Sequence, residues 1–167
     1  GTKLVTGYDQ PALGGVYKLS AIREPGGEWK HKVKLSEQSI KVSNPGIQQV
    51  RRYRSDTENI ADVIYDVQAD LTGGCIMIDP HDMTRQKRIP GDTKFSNLLV
   101  PVFRKGRRAY ESPPLAQIKE RVSQELSLFH PGVKRFVNPH QYPVGREKSL
   151  YALKTDLILR SREGVLT

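Results

Sequence analysis

The sequence predicts an α+β domain in which a β-rich first part is followed by two helices. From Gly15 to Tyr110, short apolar or alternating runs are separated by turn dipeptides, a pattern that is typical of β-strands. From Ser112 onward, the apolar residues recur at steps of three and four positions, which indicates amphipathic helices. Strands followed by helices define the α+β class.

The β-rich part is predicted to be an antiparallel meander. Its candidate strands are "GVYKLSAI", "KVKL", "IQQVRRY", "IADVIYDV", "CIMIDP", "NLLVPVF" and "RRAY". Gly73-Gly74 predicts a hairpin turn between "IADVIYDV" and "CIMIDP", and Lys105-Gly106 predicts the turn that joins the last pair. Each of these strands should therefore pair with the next one along the chain.

The first helix is predicted within "SPPLAQIKERVSQELSLFHPG". Ser112 is a suitable N-cap, Pro113 suits the first helical position, and Pro131-Gly132 ends the helix. One face carries an apolar stripe at helical spacing, which consists of Leu115, Ile118, Val122, Leu126 and Phe129.

The second helix is predicted from Arg146 to about Arg160, after the loop "NPHQYPVG". Its apolar residues Leu150, Leu153 and Leu157 would share one face. This face is expected to pack against the sheet.

The composition limits the class of protein. The 167 residues are 37% hydrophobic and 27% charged, which fits one soluble globular domain, or a domain with part of another. No apolar stretch approaches the ~20 residues that are needed to cross a bilayer, and the single cysteine, Cys75, cannot form an internal disulfide. A cytoplasmic location is therefore expected. The net charge of +9 favours an anionic partner.

Three basic clusters raise the possibility of a nucleic-acid groove. Such a groove also needs aromatic residues for base stacking, and only Tyr53 and Phe103 lie close to the clusters. Runs of this kind are more often solvated faces, so a nucleic-acid partner is not expected. The clusters are Arg51, Arg52 and Arg54; Arg85, Lys87 and Arg88; and Arg104, Lys105, Arg107 and Arg108.

The segment "CIMIDPHD" collects four residue types that bind metals. A structural zinc site needs four ligands in recognisable pairs, whereas this chain has one cysteine and four scattered histidines. A buried strand that leads into an Asp-Pro turn is the better interpretation of Cys75, Asp79, His81 and Asp82. The remaining histidines, His31, His130 and His140, are interpreted as loop or packing residues.

The first residues, Gly1 and Thr2, stand in a strand-like alternating pattern that starts without a methionine. We therefore expect the chain to be a piece of a longer protein. A Gly-Thr pair at the end of a strand offers unobstructed backbone N–H groups and a hydroxyl donor, and this combination suits a phosphate. Two residues alone are a weak signal.

Three longer strings are far more specific. "GTKLVTGYDQPALGGVYKLSAIR", "KVSNPGIQQVRRY" and "VKRFVNPHQYPVG" occur in this order, and together they resemble the carboxyl-terminal part of the bacterial nicotinate phosphoribosyltransferases. The resemblance extends from Gly1 to about Arg162. Two positions depart from the family pattern, which has alanine where Gly7 stands and an apolar residue where Arg146 stands.

The resemblance implies a fold and a division of the chain. The family joins an irregular α/β barrel of the type II phosphoribosyltransferases to an open sandwich domain. By this match, residues 1–14 are the end of the barrel and carry its phosphate loop. Residues 15–167 are the carboxyl-terminal domain. A complete barrel takes about 250 residues, so the 167 residues present cannot contain it.

The resemblance also implies a reaction. Members of the family make nicotinate mononucleotide and pyrophosphate from nicotinate and phosphoribosyl pyrophosphate, with hydrolysis of ATP and with Mg²⁺, as a step of NAD biosynthesis. Gly1 and Thr2 match the end of a Gly-Val-Gly-Thr loop that binds a substrate phosphate. The catalytic residues lie upstream, so this chain supplies no catalytic residue and no metal ligand, and alone it should be inactive and bind no cofactor.

The partners implied are the upstream barrel of the same enzyme, a second copy in a homodimer, and the small-molecule substrates, with no nucleic acid and no membrane. Three alternatives stay open. The chain could belong to a related enzyme that uses nicotinamide or quinolinate, be a basic nucleic-acid-binding module, or be a stand-alone remnant with an interaction role.

Overall fold

The computed structural model describes residues 15–38 and 41–164. The predicted phosphate contacts, Gly1 and Thr2, lie outside these residues. The described elements are β1 (Ala21–Ile22), β2 (Lys30–His31), β3 (Gln48–Arg54), β4 (Asn59–Asp66), β5 (Gly74–Ile78), β6 (Gln86–Pro90), β7 (Phe95–Asn97), β8 (Phe103–Arg104), β9 (Arg107–Arg108), α1 (Leu115–Ser127), β10 (Val144–Glu147) and α2 (Lys148–Arg162).

The main sheet is mixed and has six strands in the order β6-β5-β10-β4-β3-β7. The β3–β4 pair is antiparallel and consecutive in the chain, as the sequence predicts. Strand β5 also pairs antiparallel with the next strand, but this is β6 at Gln86–Pro90, which was not among the predicted strands. The predicted hairpin at Gly73-Gly74 is wrong, because β10 lies between β4 and β5. This strand runs parallel to β4 and antiparallel to β5. The α+β class is confirmed.

The hydrophobic core lies on one face of this sheet. Strand β4 contributes the alternate residues Ala61, Val63 and Tyr65 to it, and β3 contributes Tyr53, as expected of a pleated sheet whose successive side chains point to opposite faces. Burial of each large apolar side chain is worth about 1.5–3 kcal/mol, so this cluster carries much of the stability. Its buried members are Tyr53, Ala61, Val63, Tyr65, Leu71, Cys75, Met77 and Ile89.

Gly145 allows β10 to enter the sheet. A Cβ at this position would stand 2.4 Å from the Met77 side chain and 2.6 Å from the Ile78 carbonyl oxygen. No real Cβ tolerates such distances, and the backbone oxygen cannot move without breaking the β5–β10 pairing. The close approach of the two strands therefore depends on glycine.

Helix α2 begins two residues later than predicted. Arg146 is still in β10, where it pairs with Ile64 on one side and Ile78 on the other. The Glu147 carboxylate accepts hydrogen bonds from the backbone N–H groups of Ser149 (2.7 Å) and Leu150 (3.2 Å). This cap satisfies two of the N–H groups that a helix start leaves without partners.

Helix α1 also starts later than predicted, at Leu115, and its N-cap is Pro114 without a side-chain cap. The predicted roles of Ser112 and Pro113 are therefore wrong. A residue that precedes proline is disfavoured in the helical region, and Pro113 precedes Pro114. No residue of α1 is buried.

Two small hairpins complete the described fold. Strand β1 pairs with β2, and β8 pairs with β9. The predicted turn at Lys105-Gly106 is confirmed, since both residues have positive φ (49° and 75°), as tight hairpin turns require. Of the helices described here, none has the length and apolarity that would let it cross a membrane.

We expect Gly145→Ala to lower the free energy of unfolding by about 1–3 kcal/mol, because the added methyl group overpacks the contact with Met77 and Ile78. Urea titration monitored by circular dichroism would measure this loss. Gly73→Ala is the matched control, since a Cβ there meets nothing within 4 Å, and its stability should stay within about 0.5 kcal/mol of the parent. Equal effects of the two substitutions would contradict the role of Gly145.

Candidate functional site

A charged cluster joins the sheet to α1, and Arg52 is at its centre. Its Nε and one Nη donate hydrogen bonds to the two carboxylate oxygens of Asp62, at 2.8 and 2.7 Å. Its other Nη donates to Glu125 of α1 at 3.0 Å. Arg52 and Asp62 are direct partners across β3 and β4, so the sheet register sets this fork-to-fork geometry.

Two aromatic residues complete the Arg52 cluster. The Tyr142 hydroxyl donates to Asp62 Oδ1 at 3.0 Å, and Phe129 packs edge-on against the Tyr142 ring with centroids 4.9 Å apart. The Arg52 guanidinium lies 5.2 Å from the centre of the Phe129 ring. Arginine thus meets two carboxylates and two aromatic rings.

The ionisation states of the Arg52 cluster are fixed. Hydrogen bonding to Asp62 raises the pKa of Arg52 above its ordinary value, despite the opposing effect of burial. Burial, followed by the negative charge of Asp62, raises the pKa of Tyr142 above its ordinary value. The phenol therefore stays a donor and the guanidinium stays charged near neutral pH. Such a cluster can hold elements together, but it offers no group for proton transfer.

The opposite face of β3 contains Arg51 among aromatic residues. Its guanidinium lies 3.8 Å from the centre of the Phe95 ring and 4.9 Å from that of Tyr65. One Nη donates to the Tyr65 hydroxyl at 3.3 Å. The first basic cluster is therefore partly buried, and its interpretation as a solvated face is wrong for Arg51 and Arg52. The other two basic clusters are exposed.

The "CIMIDPHD" segment forms a buried strand and a turn, as interpreted from the sequence. Cys75 is buried, and its sulfur lies 3.5 Å from the Tyr53 hydroxyl; burial raises the pKa of the Cys75 thiol. Asp79 accepts from the backbone N–H of His81 at 2.8 Å, and Asp82 does the same for Thr84 at 3.0 Å. Across the described residues, no group of three or more His, Cys, Asp or Glu side chains could hold a metal ion.

Of the remaining histidines, His130 and His140 lie in the loop after α1, as interpreted, whereas His31 belongs to β2. The rings of His130 and His140 are stacked with centroids 6.1 Å apart. His130 also accepts a hydrogen bond from the backbone N–H of Gly132 at 3.0 Å. His31, which has no carboxylate beside it in sequence, lies 3.3 Å from Asp66 in space. None of the three contacts a nucleophilic side chain in these interactions.

The Arg52 cluster is the feature that sequence reasoning missed. Arg52 and Asp62 carry opposite charges and lie on two neighbouring predicted strands, and this was the only sequence signal for an ion pair between them. Their direct pairing depends on the register of β3 and β4, which is known only from the folded sheet. Glu125 lies 73 positions from Arg52, and no local pattern connects them.

The fold and this cluster define an α+β module whose central charges hold its own elements together. Comparison with known proteins gives the family. Residues 47–154 match the sequence profile of the nicotinate phosphoribosyltransferase C-terminal domain. The chain belongs to this family, as its resemblance at the sequence level predicts.

Individual relatives agree with this assignment. The chain is 35% identical to a nicotinate phosphoribosyltransferase of Bacillus subtilis over 166 residues, which is 95% of this chain and 33% of the relative. It is 31% identical to the nicotinate phosphoribosyltransferase of Dictyostelium discoideum, over 96% of this chain and 28% of that protein. The chain therefore spans about a third or less of the length of these relatives.

A solved structure supports the fold. The crystal structure of human nicotinic acid phosphoribosyltransferase superposes with a TM-score of 0.59 at 21% identity, and the match covers 80% of this chain and 27% of that one. At this identity the likeness concerns the fold alone.

We expect Asp62→Asn to lower the free energy of unfolding by about 1–3 kcal/mol, because it removes the less exposed of the two carboxylate partners of Arg52 and leaves only Glu125. Glu125→Gln is the control within the same cluster. The Glu125 side chain is 42% exposed, so solvent screening limits its contribution to at most about 1 kcal/mol. Chemical denaturation of both variants would test this, and a larger loss for Glu125→Gln would reverse the proposed ranking.

Proposed function

We propose that the chain is the carboxyl-terminal portion of a nicotinate phosphoribosyltransferase. The enzyme would make nicotinate mononucleotide and pyrophosphate from nicotinate and phosphoribosyl pyrophosphate, with hydrolysis of ATP. The observation that carries this proposal is the 35% identity to the Bacillus subtilis enzyme over 95% of this chain. Substrates, partners and location are proposed for the whole protein, with the chain contributing about a third of it.

In this proposal the chain contributes two things. Residues 1–14 end the barrel, and Gly1 and Thr2 bind a phosphate of phosphoribosyl pyrophosphate through backbone N–H groups and a hydroxyl. Residues 15–167 support the barrel from outside. The Arg52 cluster agrees with this supporting role, because its hydrogen bonds are used to connect β3, β4 and α1.

Mg²⁺ and ATP belong to the upstream portion in this proposal. The described residues do not fit a metal ion, since none of their acidic and histidine side chains form a group of three. When bound, Mg²⁺ would neutralise pyrophosphate charge. The chain itself would contribute donors to a phosphate, which stabilise charge only if they are held in place beforehand. A cytoplasmic location and a homodimer are part of the same proposal.

The exposed face of α1 supports a contact with the upstream portion. Four apolar side chains of its stripe are between 43% and 66% exposed: Leu115, Ile118, Val122 and Leu126. The end of the helix is nevertheless fixed, because Asn59 donates its backbone N–H to the Leu128 carbonyl oxygen at 2.8 Å and Glu125 is bound by Arg52. An ordered helix with an uncovered apolar stripe is typical of an interaction surface.

We expect Thr2→Ala in the full-length polypeptide to raise the KM for phosphoribosyl pyrophosphate. A lost hydrogen bond to a charged phosphate costs about 1.5–3 kcal/mol, which corresponds to roughly 10- to 150-fold. Formation of nicotinate mononucleotide from nicotinate, phosphoribosyl pyrophosphate and Mg-ATP would be measured at steady state. Thr6→Ala, the same substitution outside the matched loop, should leave the KM unchanged.

The same assay separates the proposed function from the proposed site. If the parent polypeptide turns over nicotinamide or quinolinate in place of nicotinate, the proposed substrate is wrong. If nicotinate is turned over but Thr2→Ala and Thr6→Ala behave alike, the reaction stands and the phosphate role of Thr2 is wrong.

We expect Ile118→Gln combined with Val122→Gln to weaken association with the upstream portion expressed as a separate polypeptide. The stability of the chain itself should change by less than about 0.5 kcal/mol, because both side chains are exposed. Sedimentation of the mixed portions would measure association, and urea titration would measure stability. The control is Lys119→Gln combined with Ser123→Gln, which lie on another part of the α1 surface. If this pair weakened association equally, the apolar stripe would not be the contact.

A further inference from the structure

A cavity of about 220 Å³ lies between α2 and the segments around Glu37 and Val42. It is smaller than the roughly 300–1,000 Å³ of sites for drug-sized ligands. Its charged lining consists of three cations, Arg146, Lys154 and Arg162, and one acidic residue, Glu37. The cavity is thus suited in size and charge to a small anion.

Lys154 is the most buried of these cations, with only 7% of the residue exposed. Its Nζ donates to the Val42 carbonyl oxygen at 2.8 Å and to Asn44 Oδ1 at 3.0 Å. Both acceptors are neutral. An ammonium group has three donors, so one of them has no partner among the described residues.

Arg146 converges on the same neutral oxygen. Its Nε donates a hydrogen bond to Asn44 Oδ1 at 2.7 Å. That amide oxygen therefore accepts hydrogen bonds from both Arg146 and Lys154. No other hydrogen bond involves the Arg146 side chain within the described residues. Its two Nη groups therefore have no hydrogen-bond partner among the described residues, and Arg146 is one of the residues that line the cavity.

Neither of these two cations forms an ion pair with a carboxylate in the described part of the chain. The ion pairs found there involve other residues, and Glu37, which also lines the cavity, forms none of them. Burial, with Arg146 and Lys18 nearby, lowers the pKa of Lys154 to about 8. Burial also lowers the pKa of Arg146. Buried cations without an anion are costly to keep.

We propose that this cavity binds a phosphate-like dianion, held between the Arg146 guanidinium and the Lys154 ammonium group. Arginine provides a planar pair of donors that matches two oxygens of a tetrahedral anion, and lysine adds a point charge. The ligand would be inorganic phosphate or the phosphoryl group of a small metabolite. The proposed function assigns no such site. The anion site does not depend on the proposed function, and each can be tested separately.

Calorimetric titration of the full-length polypeptide with phosphate and with sulfate tests the proposal. We expect Lys154→Gln and Arg146→Gln each to weaken sulfate binding by about tenfold or more, because each loses a charged donor. Arg160→Gln is the matched control. This substitution removes one positive charge from α2, the helix that carries Lys154. The Arg160 side chain pairs with Asp156 at 2.9 Å and does not line the cavity.

The pH dependence gives a second readout that needs no substitution. The charged groups that surround the Lys154 amine are Arg146 on β10, Lys18 and Glu37 on the preceding segments, and Arg162 on α2. Sulfate keeps its charge over this range, so its affinity should be constant below about pH 8 and fall as Lys154 deprotonates above it. Bound sulfate should raise the pKa of Lys154, which NMR of the lysine side chain would follow.

Three results would overturn the proposal. Wild type and all variants could bind sulfate alike, which would indicate diffuse attraction to a basic surface. Wild type could fail to bind either anion. The Lys154 amine could titrate near its ordinary value in the full-length polypeptide without added anion, which would mean that it is not a buried cation in need of an anion.

Discussion

The fold depends on the insertion of β10 between β4 and β5. Without this strand, the sheet would divide into a three-stranded part, β4-β3-β7, and a separate β5–β6 hairpin, and a lone hairpin is marginal in water. The insertion needs a position without a Cβ, and Gly145 provides it against Met77 and Ile78. The same four-residue strand leads directly into α2, whose first turn is capped by Glu147. One short segment therefore joins the two parts of the sheet and positions the second helix.

Charged residues serve two different purposes in this domain. Arg52 is surrounded by Asp62, Glu125 and two aromatic rings, so its charge is matched within the domain. Arg146 and Lys154 are also withdrawn from solvent, but they share one amide oxygen of Asn44. The two groups therefore differ in the charge of their hydrogen-bond partners, which are carboxylates for Arg52 and a neutral amide oxygen for Arg146 and Lys154. A matched buried charge contributes to cohesion, whereas an unmatched one indicates a ligand that the chain does not supply.

Periodic segments could be predicted from the sequence, and segments stabilised by distant contacts could not. The β-branched and aromatic residues of β4 and the three-to-four spacing in α1 are local, so these elements follow from the residues themselves. Strand β10 reads "VGRE", which has no alternation, and only its two neighbours make it a strand. The candidate cavity was not predicted from the sequence. Lys154 stands four positions after Leu150, on the buried side of α2, but a lysine is ordinarily exposed, and its contact with Asn44 joins residues 110 positions apart.

The pairing of β4 with β10 also has a consequence for how the domain folds. Asp62 pairs with Val144, and Tyr142 reaches Asp62 across 80 positions. During synthesis, β4 and β5 therefore emerge long before the strand that separates them. Until then each presents an open edge, and such edges readily pair with other chains. Closing a loop of this length also slows folding, because its entropy is lost before the contacts form. The late strand thus sets the interval over which the nascent sheet is vulnerable to aggregation.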